Sequence, residues 1–149
     1  MIPEKWKWVI AFAALVGGCG SPKNPKSVAY CSEVLGKRNE NASLAEACQR
    51  FLNRESLKKT NGAARLSGQY YLLRGYDVTN AEIQFRRAIS QNDKNAVFDL
   101  VSILNNRKDR KSCLEVQRLL SEFRPLNPDE EIHLRQWQRS TIAKCRPSA

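Results

Sequence analysis

The sequence predicts an all-α fold, and three observations carry that prediction. From Val28 onward apolar residues recur three and four positions apart, the spacing that lines one face of a helix. Helix-start signals stand in front of several of these runs, and short polar turns separate them. No segment alternates apolar and polar residues for long enough to make a strand.

The chain opens with a different kind of segment. Met1 to Trp8 carries Lys5 and Lys7, and Val9 to Val16 is an unbroken apolar run. Such a run suits the core of an export signal and is too short to span a bilayer. It ends at Val16-Gly17-Gly18-Cys19, where two small residues precede a cysteine. This stretch resembles the lipobox of bacterial lipoproteins, although Val16 stands where the stronger family pattern has Leu. The resemblance implies a signal peptide over residues 1–18 and a lipid, palmitate among its chains, on Cys19 as the mature N-terminus. Gly20 follows the cysteine in place of the Asp of inner-membrane retention signals. By the same resemblance the protein is an outer-membrane lipoprotein facing the periplasm. Residues 19–26, with Pro22 and Pro25, read as a short extended tether, which leaves 27–149 for one folded domain.

Within that domain Val28, Cys31, Val34 and Leu35 predict a first helix, interrupted from Gly36 to Asn41. Ser43-Leu44-Ala45-Glu46 reads as a capping box, in which Ser43 accepts from a backbone N–H and Glu46 reaches back. Its helix places Leu44, Ala47, Cys48, Phe51 and Leu52 on one face. After the turn at Asn61-Gly62, a helix from Ala63 to Arg74 carries Leu66, Tyr70 and Leu73, and Gly75 to Val78 punctuates. Thr79-Asn80-Ala81-Glu82 is a second capping box, ahead of Phe85, Ala88 and Ile89. Asn92 to Asn95 turns the chain into a helix with Val97, Leu100, Val101 and Leu104. Ser112-Cys113-Leu114-Glu115 is a third box, followed by Val116, Leu119, Leu120 and Phe123, and Pro125 ends that helix because a proline cannot continue it. Asn127-Pro128-Asp129-Glu130 starts a last helix with Ile132, Leu134, Trp137 and Ile142.

The helices hint at a repeat. Ala47-x-x-x-Phe51 recurs as Ala81-x-x-x-Phe85, thirty-four residues later. The small-large-small spacing of Ala81, Phe85 and Ala88 resembles the second helix of a tetratricopeptide repeat. Leu66, Gly68 and Tyr71 are similar to the first-helix pattern, with the glycine displaced by one residue. A third unit keeps Cys113, Leu120 and Pro125, but Gln117 replaces the aromatic. The resemblance implies antiparallel helical hairpins in a short tetratricopeptide-like solenoid with a C-terminal capping helix. It also implies the bridging. Of five cysteines, lipidation takes Cys19, and an even set of four in an exported chain reads as a disulfide framework. The hairpin arrangement pairs Cys31 with Cys48 and Cys113 with Cys145; from the sequence alone the other two pairings stay open.

The chain has a formal net charge of +10, and a leader with Lys5, Lys7 and Glu4 would remove little of it. In the periplasm the matching anions are lipid headgroups, lipopolysaccharide phosphates or acidic protein surfaces, and no nucleic-acid partner is expected. The densest cluster is Arg107, Lys108, Arg110 and Lys111, in a predicted turn. One histidine, His133, and no C-x-x-C pair argue against a metal site, and no cofactor motif is present. Glu130 and Glu131 are adjacent on a helix and point apart, as first-turn acids do, and no nucleophile signature accompanies them. The chain is therefore not expected to be an enzyme.

Small outer-membrane lipoproteins with such repeats resemble pilotins and assembly factors of envelope machines. That resemblance implies a protein-binding scaffold that holds a peptide or helix of an envelope protein client in a groove. Tyr70, Arg74 and Arg107 are the candidate groove residues. The alternative is a periplasmic inhibitor, immunity or exclusion protein whose basic domain blocks an incoming enzyme or machine.

Overall fold

The structure, a computed structural model, describes residues 25–37, 42–107 and 109–145. Cys19 with its predicted leader and most of the tether lies outside the described residues, as do residues 38–41 and Lys108. The described residues are all-helical: α1 (Val28–Gly36), α2 (Ala42–Leu57), α3 (Ala63–Tyr70), α4 (Val78–Ser90), α5 (Ala96–Arg107), α6 (Arg110–Glu122) and α7 (Pro128–Lys144). A π-helical turn, Tyr71–Gly75, prolongs α3, so the stretch predicted as one helix keeps its extent and changes its winding. The helices pack in a hairpin-type arrangement. Each packs chiefly on its neighbours in sequence, with α1 also touching α3 and α2 touching α4.

The helix starts differ from the predicted ones in an instructive way. Asp77, not Thr79, caps α4: its carboxylate accepts from the Asn80 backbone N–H at 2.9 Å. Asp109, not Ser112, caps α6, accepting from both the backbone N–H and the hydroxyl of Ser112. Both acids hold helix-end donors, and these bonds draw their carboxyl groups below the usual aspartate range. At α2 the helix begins at Ala42, so Ser43 stands inside it. The fourth start behaves as predicted. Asn127 accepts from the Glu130 N–H at 2.9 Å, Glu130 accepts from the Leu126 N–H at 2.7 Å, and Pro128 occupies the first turn. Gly62, at φ +74°, supplies the left-handed residue from which α3 starts.

Two hydrophobic clusters share α3 as a wall. The smaller joins Cys31 and Val34 of α1, Ala45, Cys48 and Leu52 of α2, and Ala63, Leu66 and Tyr70 of α3. The larger takes Ala64 of α3, then Ala81, Phe85 and Ala88, then the α5 stripe, Val116, Leu119, Leu120, Phe123 and Leu134. On α2 the buried stripe is Ala45, Cys48, Leu52 and Ser56, so Ala47 and Phe51 are only half-buried. Ala81 and Phe85 are fully buried, which makes the two copies of the sequence pattern unequal in packing. On α7 the buried positions are Leu134 and Thr141, whereas Ile132 and Ile142 are exposed. Helical spacing from Leu134 runs through Trp137 to Thr141 and Cys145, and the two isoleucines fall off that line.

Disulfides join Cys31 to Cys48 and Cys113 to Cys145, with Cα–Cα distances of 5.4 and 5.7 Å. The first ties α1 to α2 and the second ties α6 to the end of α7. Both terminal helices of the described stack are thus stapled to a neighbour.

Candidate functional site

The site is built where the N-terminal half of α2 meets the end of α3. Helix α2 presents Gln49 and Asn53 one turn apart toward Ser67 of α3. Gln49 donates to the Ser67 hydroxyl at 2.9 Å, Ser67 donates to Asn53 Oδ1 at 2.5 Å, and Asn53 Nδ2 donates to the Tyr71 hydroxyl at 2.9 Å. Four polar side chains therefore satisfy one another across the helix pair, with Ser67 completely buried. This network fixes α3 against α2 in one register and orients Tyr71.

Beyond it lies a groove of about 460 Å³. Ala42, Ala45, Glu46 and Gln49 line one side; Tyr70, Tyr71, Arg74 and Gly75 line the other. The π turn shapes the second wall. Its wider winding ends at Tyr76, which takes a left-handed conformation (φ +50°) and returns its N–H to the Tyr71 carbonyl. Leu73 and Tyr76, which flank the lining residues Arg74 and Gly75 in sequence, are left 62% and 86% exposed. Glu46 and Arg74 give the walls opposite charges. Arg74 donates to the Lys37 carbonyl at 2.8 Å, and Glu46 lies 3.7 Å from the Arg50 guanidinium in the open.

The three residues predicted to face a partner separate here. Tyr70 and Arg74 border the same groove, but Tyr70 is 1% exposed and donates its hydroxyl to the Cys31 carbonyl at 2.8 Å. It is a floor residue of the smaller cluster, because it continues the buried stripe of α3. Arg107 lies elsewhere, paired with Glu82. Glu82 also holds Arg86 at 2.7 Å, and Arg86 in turn grips Glu115, so α4, α5 and α6 share one chain of ion pairs. The Arg86 hydrogen bonds draw Glu115 below the usual glutamate range. Burial acts to raise Glu82, but Arg86 and Arg107 outweigh it and leave that carboxyl lowered too. Glu82 and Glu115 are two of the three acids predicted to complete capping boxes, and pairing with arginines is what they do instead.

Sequence reasoning missed Gln49, Asn53, Ser67 and the exposed Leu73 and Tyr76. The first three carried a signal: amide side chains four apart on a helix, with a serine interrupting an otherwise apolar stripe. Nothing comparable announced the π turn. His133 is exposed early in α7, and no group of three or more His, Cys, Asp or Glu suited to a metal ion occurs among the described residues. None of their helices is long and apolar enough to cross a membrane. No protein-family model, curated protein or solved structure matches the chain, so its own residues carry the functional argument.

Proposed function

We propose that this protein is a lipid-anchored, periplasm-facing scaffold of the outer membrane. Its α2–α3 groove would hold a peptide or helix of an envelope protein client, as a pilotin-like assembly factor does. The observation that carries this reading is the groove together with the exposed Leu73 and Tyr76, which flank its lining residues Arg74 and Gly75 in sequence. An apolar anchor beside a floor fixed by a satisfied polar network is what a partner's side chains need in order to dock at low entropic cost. Glu46 and Arg74 on opposite walls suit a partner that presents both charges. The neighbour-on-neighbour packing of the helices, and the close approach of Gly68 to Phe85, support describing the stack as tetratricopeptide-like. The lipobox resemblance at Val16 to Cys19 supports the anchor.

The test places a photocrosslinking residue at Leu73, at Tyr76 or, as control, at Arg118 on α6, in intact cells. One dominant envelope protein captured from Leu73 and Tyr76, absent from Arg118 and lost in Arg74→Glu, is the expected result. The same mixture from all three positions would refute the groove as the docking site. Tyr70→Ala is not a usable probe, since it empties a core position.

A further inference from the structure

The two ends of the helical stack are not equivalent. The α2–α3, α4–α5 and α6–α7 turns share one end. Gln91 Nε2 donates to the Ser56 carbonyl at 2.8 Å, which ties the end of α4 to the end of α2. Lys59 and Gly62 border a surface hollow with Gln91 and Asp93. Asn92 to Lys94 border the next one with Glu122 to Arg124. The chain arrives at this end as well. Pro25 forms one side of a hollow of about 490 Å³ whose other walls run along α2 from Ala47 through Arg50 and Asn53 to Arg54, mostly in its C-terminal half.

We infer that this end, centred on Arg54, Leu57, Lys58 and Lys59, lies on the phosphate headgroups of an anionic membrane. The inference rests on the lipid at Cys19 proposed above. Only Gly20 to Asn24 separates Cys19 from Pro25. Fully extended, that stretch reaches about 20 Å, so the anchor holds this end of the stack, and not the other, near the headgroup layer. The end carries the chemistry such a layer attracts. Arg54, Lys58 and Lys59 are all exposed, with Lys58 sharing its charge with Glu55 at 2.7 Å. Leu57, 68% exposed among them, adds an apolar contact at the depth where headgroup and acyl chain meet. Cations held within a Debye length of an anionic leaflet are drawn to it, and a short tether keeps them there. The α2–α3 groove sits toward the opposite end, near Ala42 and Gly75, so this orientation turns it away from the membrane.

The test uses the full lipidated chain in vesicles and reads amide hydrogen exchange. In vesicles containing phosphatidylglycerol, residues 54–62 should exchange about tenfold more slowly than in pure phosphatidylcholine. Arg54→Glu combined with Lys58→Glu and Lys59→Glu should abolish the difference, while α4 to α6 keep their protection as proof of folding. Equal exchange in both vesicles would overturn the inference, as would protection confined to the Arg107 to Lys111 end. Protection in phosphatidylcholine on adding inorganic phosphate would make free phosphate the ligand and overturn the membrane assignment. The mass of the N-terminal peptide tests the anchor separately. If Cys19 is unmodified while the anionic vesicles still protect 54–62, the tether fails and the basic end stands.

Discussion

The α1–α2 hairpin and the α4–α6 core are both buried and both helical, yet they are held by different means. Helix α1 is short and fully buries only Cys31 and Val34, and its place is secured by a cystine and by the Tyr70 hydroxyl on the Cys31 carbonyl. The α4–α6 core is secured by shape. A Cβ on Gly68 would lie 2.6 to 2.9 Å from three ring carbons of Phe85, so the glycine is there to let that ring sit against the α3 backbone. The lesson is one of surface and volume. A terminal helix with a neighbour on one side cannot bury enough apolar area to hold itself, and covalent chemistry replaces packing there. The same logic recurs at α7, which buries Leu134 and Thr141 and is stapled through Cys145.

Emptying the shape-held region should give the largest effect. Phe85→Ala removes a fully buried ring and should cost about 3–5 kcal/mol of stability, measured by urea unfolding. Gly68→Ala should also destabilise, by ~1–3 kcal/mol, although alanine is the better helix former, because the new methyl meets the ring. The double variant Gly68→Ala/Phe85→Leu should cost less than the sum of its parts. Additive costs would mean that the ring and the glycine are not in contact.

Removing the staples should give the next largest effect and should be local. Cys31→Ser with Cys48→Ser is expected to lose ~2–4 kcal/mol, and amide exchange should rise in α1 and the start of α2 while α4 to α6 stay protected. Cys113→Ser with Cys145→Ser should loosen α7 in the same way. Uniform loss of protection across the whole chain from either pair would erase the distinction between stapled ends and packed centre.

Much of this division was legible in the sequence. The all-helical class, the last helix cap and the turn at Gly62 followed from spacing and residue type. Period alone located the α4 stripe, because Ala81, Phe85 and Ala88 all face one way. On α2 it found Cys48 and Leu52, with Leu44 and Phe51 packed at the edge of the cluster, but missed Ala45 and Ser56, since Leu44, Ala45, Ala47 and Cys48 permit two overlapping faces and only tertiary packing selects between them. Two of the three capping boxes, those at Thr79 and Ser112, failed for a related reason. An Asp two or three residues upstream competes with Thr79 and Ser112 for the same N–H groups, and an acid wins near a helix N-terminus. Of the three predicted groove residues, Arg74 lines the groove, Tyr70 is buried in its floor and Arg107 lies in an ion pair, because a residue's type does not say which side of its helix is covered.

The smallest expected effect separates the two regions by pH. Cystine and apolar packing do not titrate, whereas the chain from Arg107 through Glu82 and Arg86 to Glu115 does. Both carboxyl groups are lowered in the folded protein from the ordinary glutamate value of 4.5. Their contribution is therefore complete above that value and is lost as the pH falls through the folded-state titration below it. Arg86 is raised, so no loss arises on its side at any ordinary pH. The arginines are 43% and 41% exposed, and solvent screening limits the whole network to about 1 kcal/mol. Urea unfolding at pH 7 and pH 3.5 should show wild type losing about that much more than Arg86→Leu, with the difference shrinking in high salt. The Cys31–Cys48 double variant should keep the full pH dependence, because its lesion lies in the other region. If Arg86→Leu is as acid-sensitive as wild type, the ion pairs do not join α4 to α6 in solution, and shape alone holds the centre.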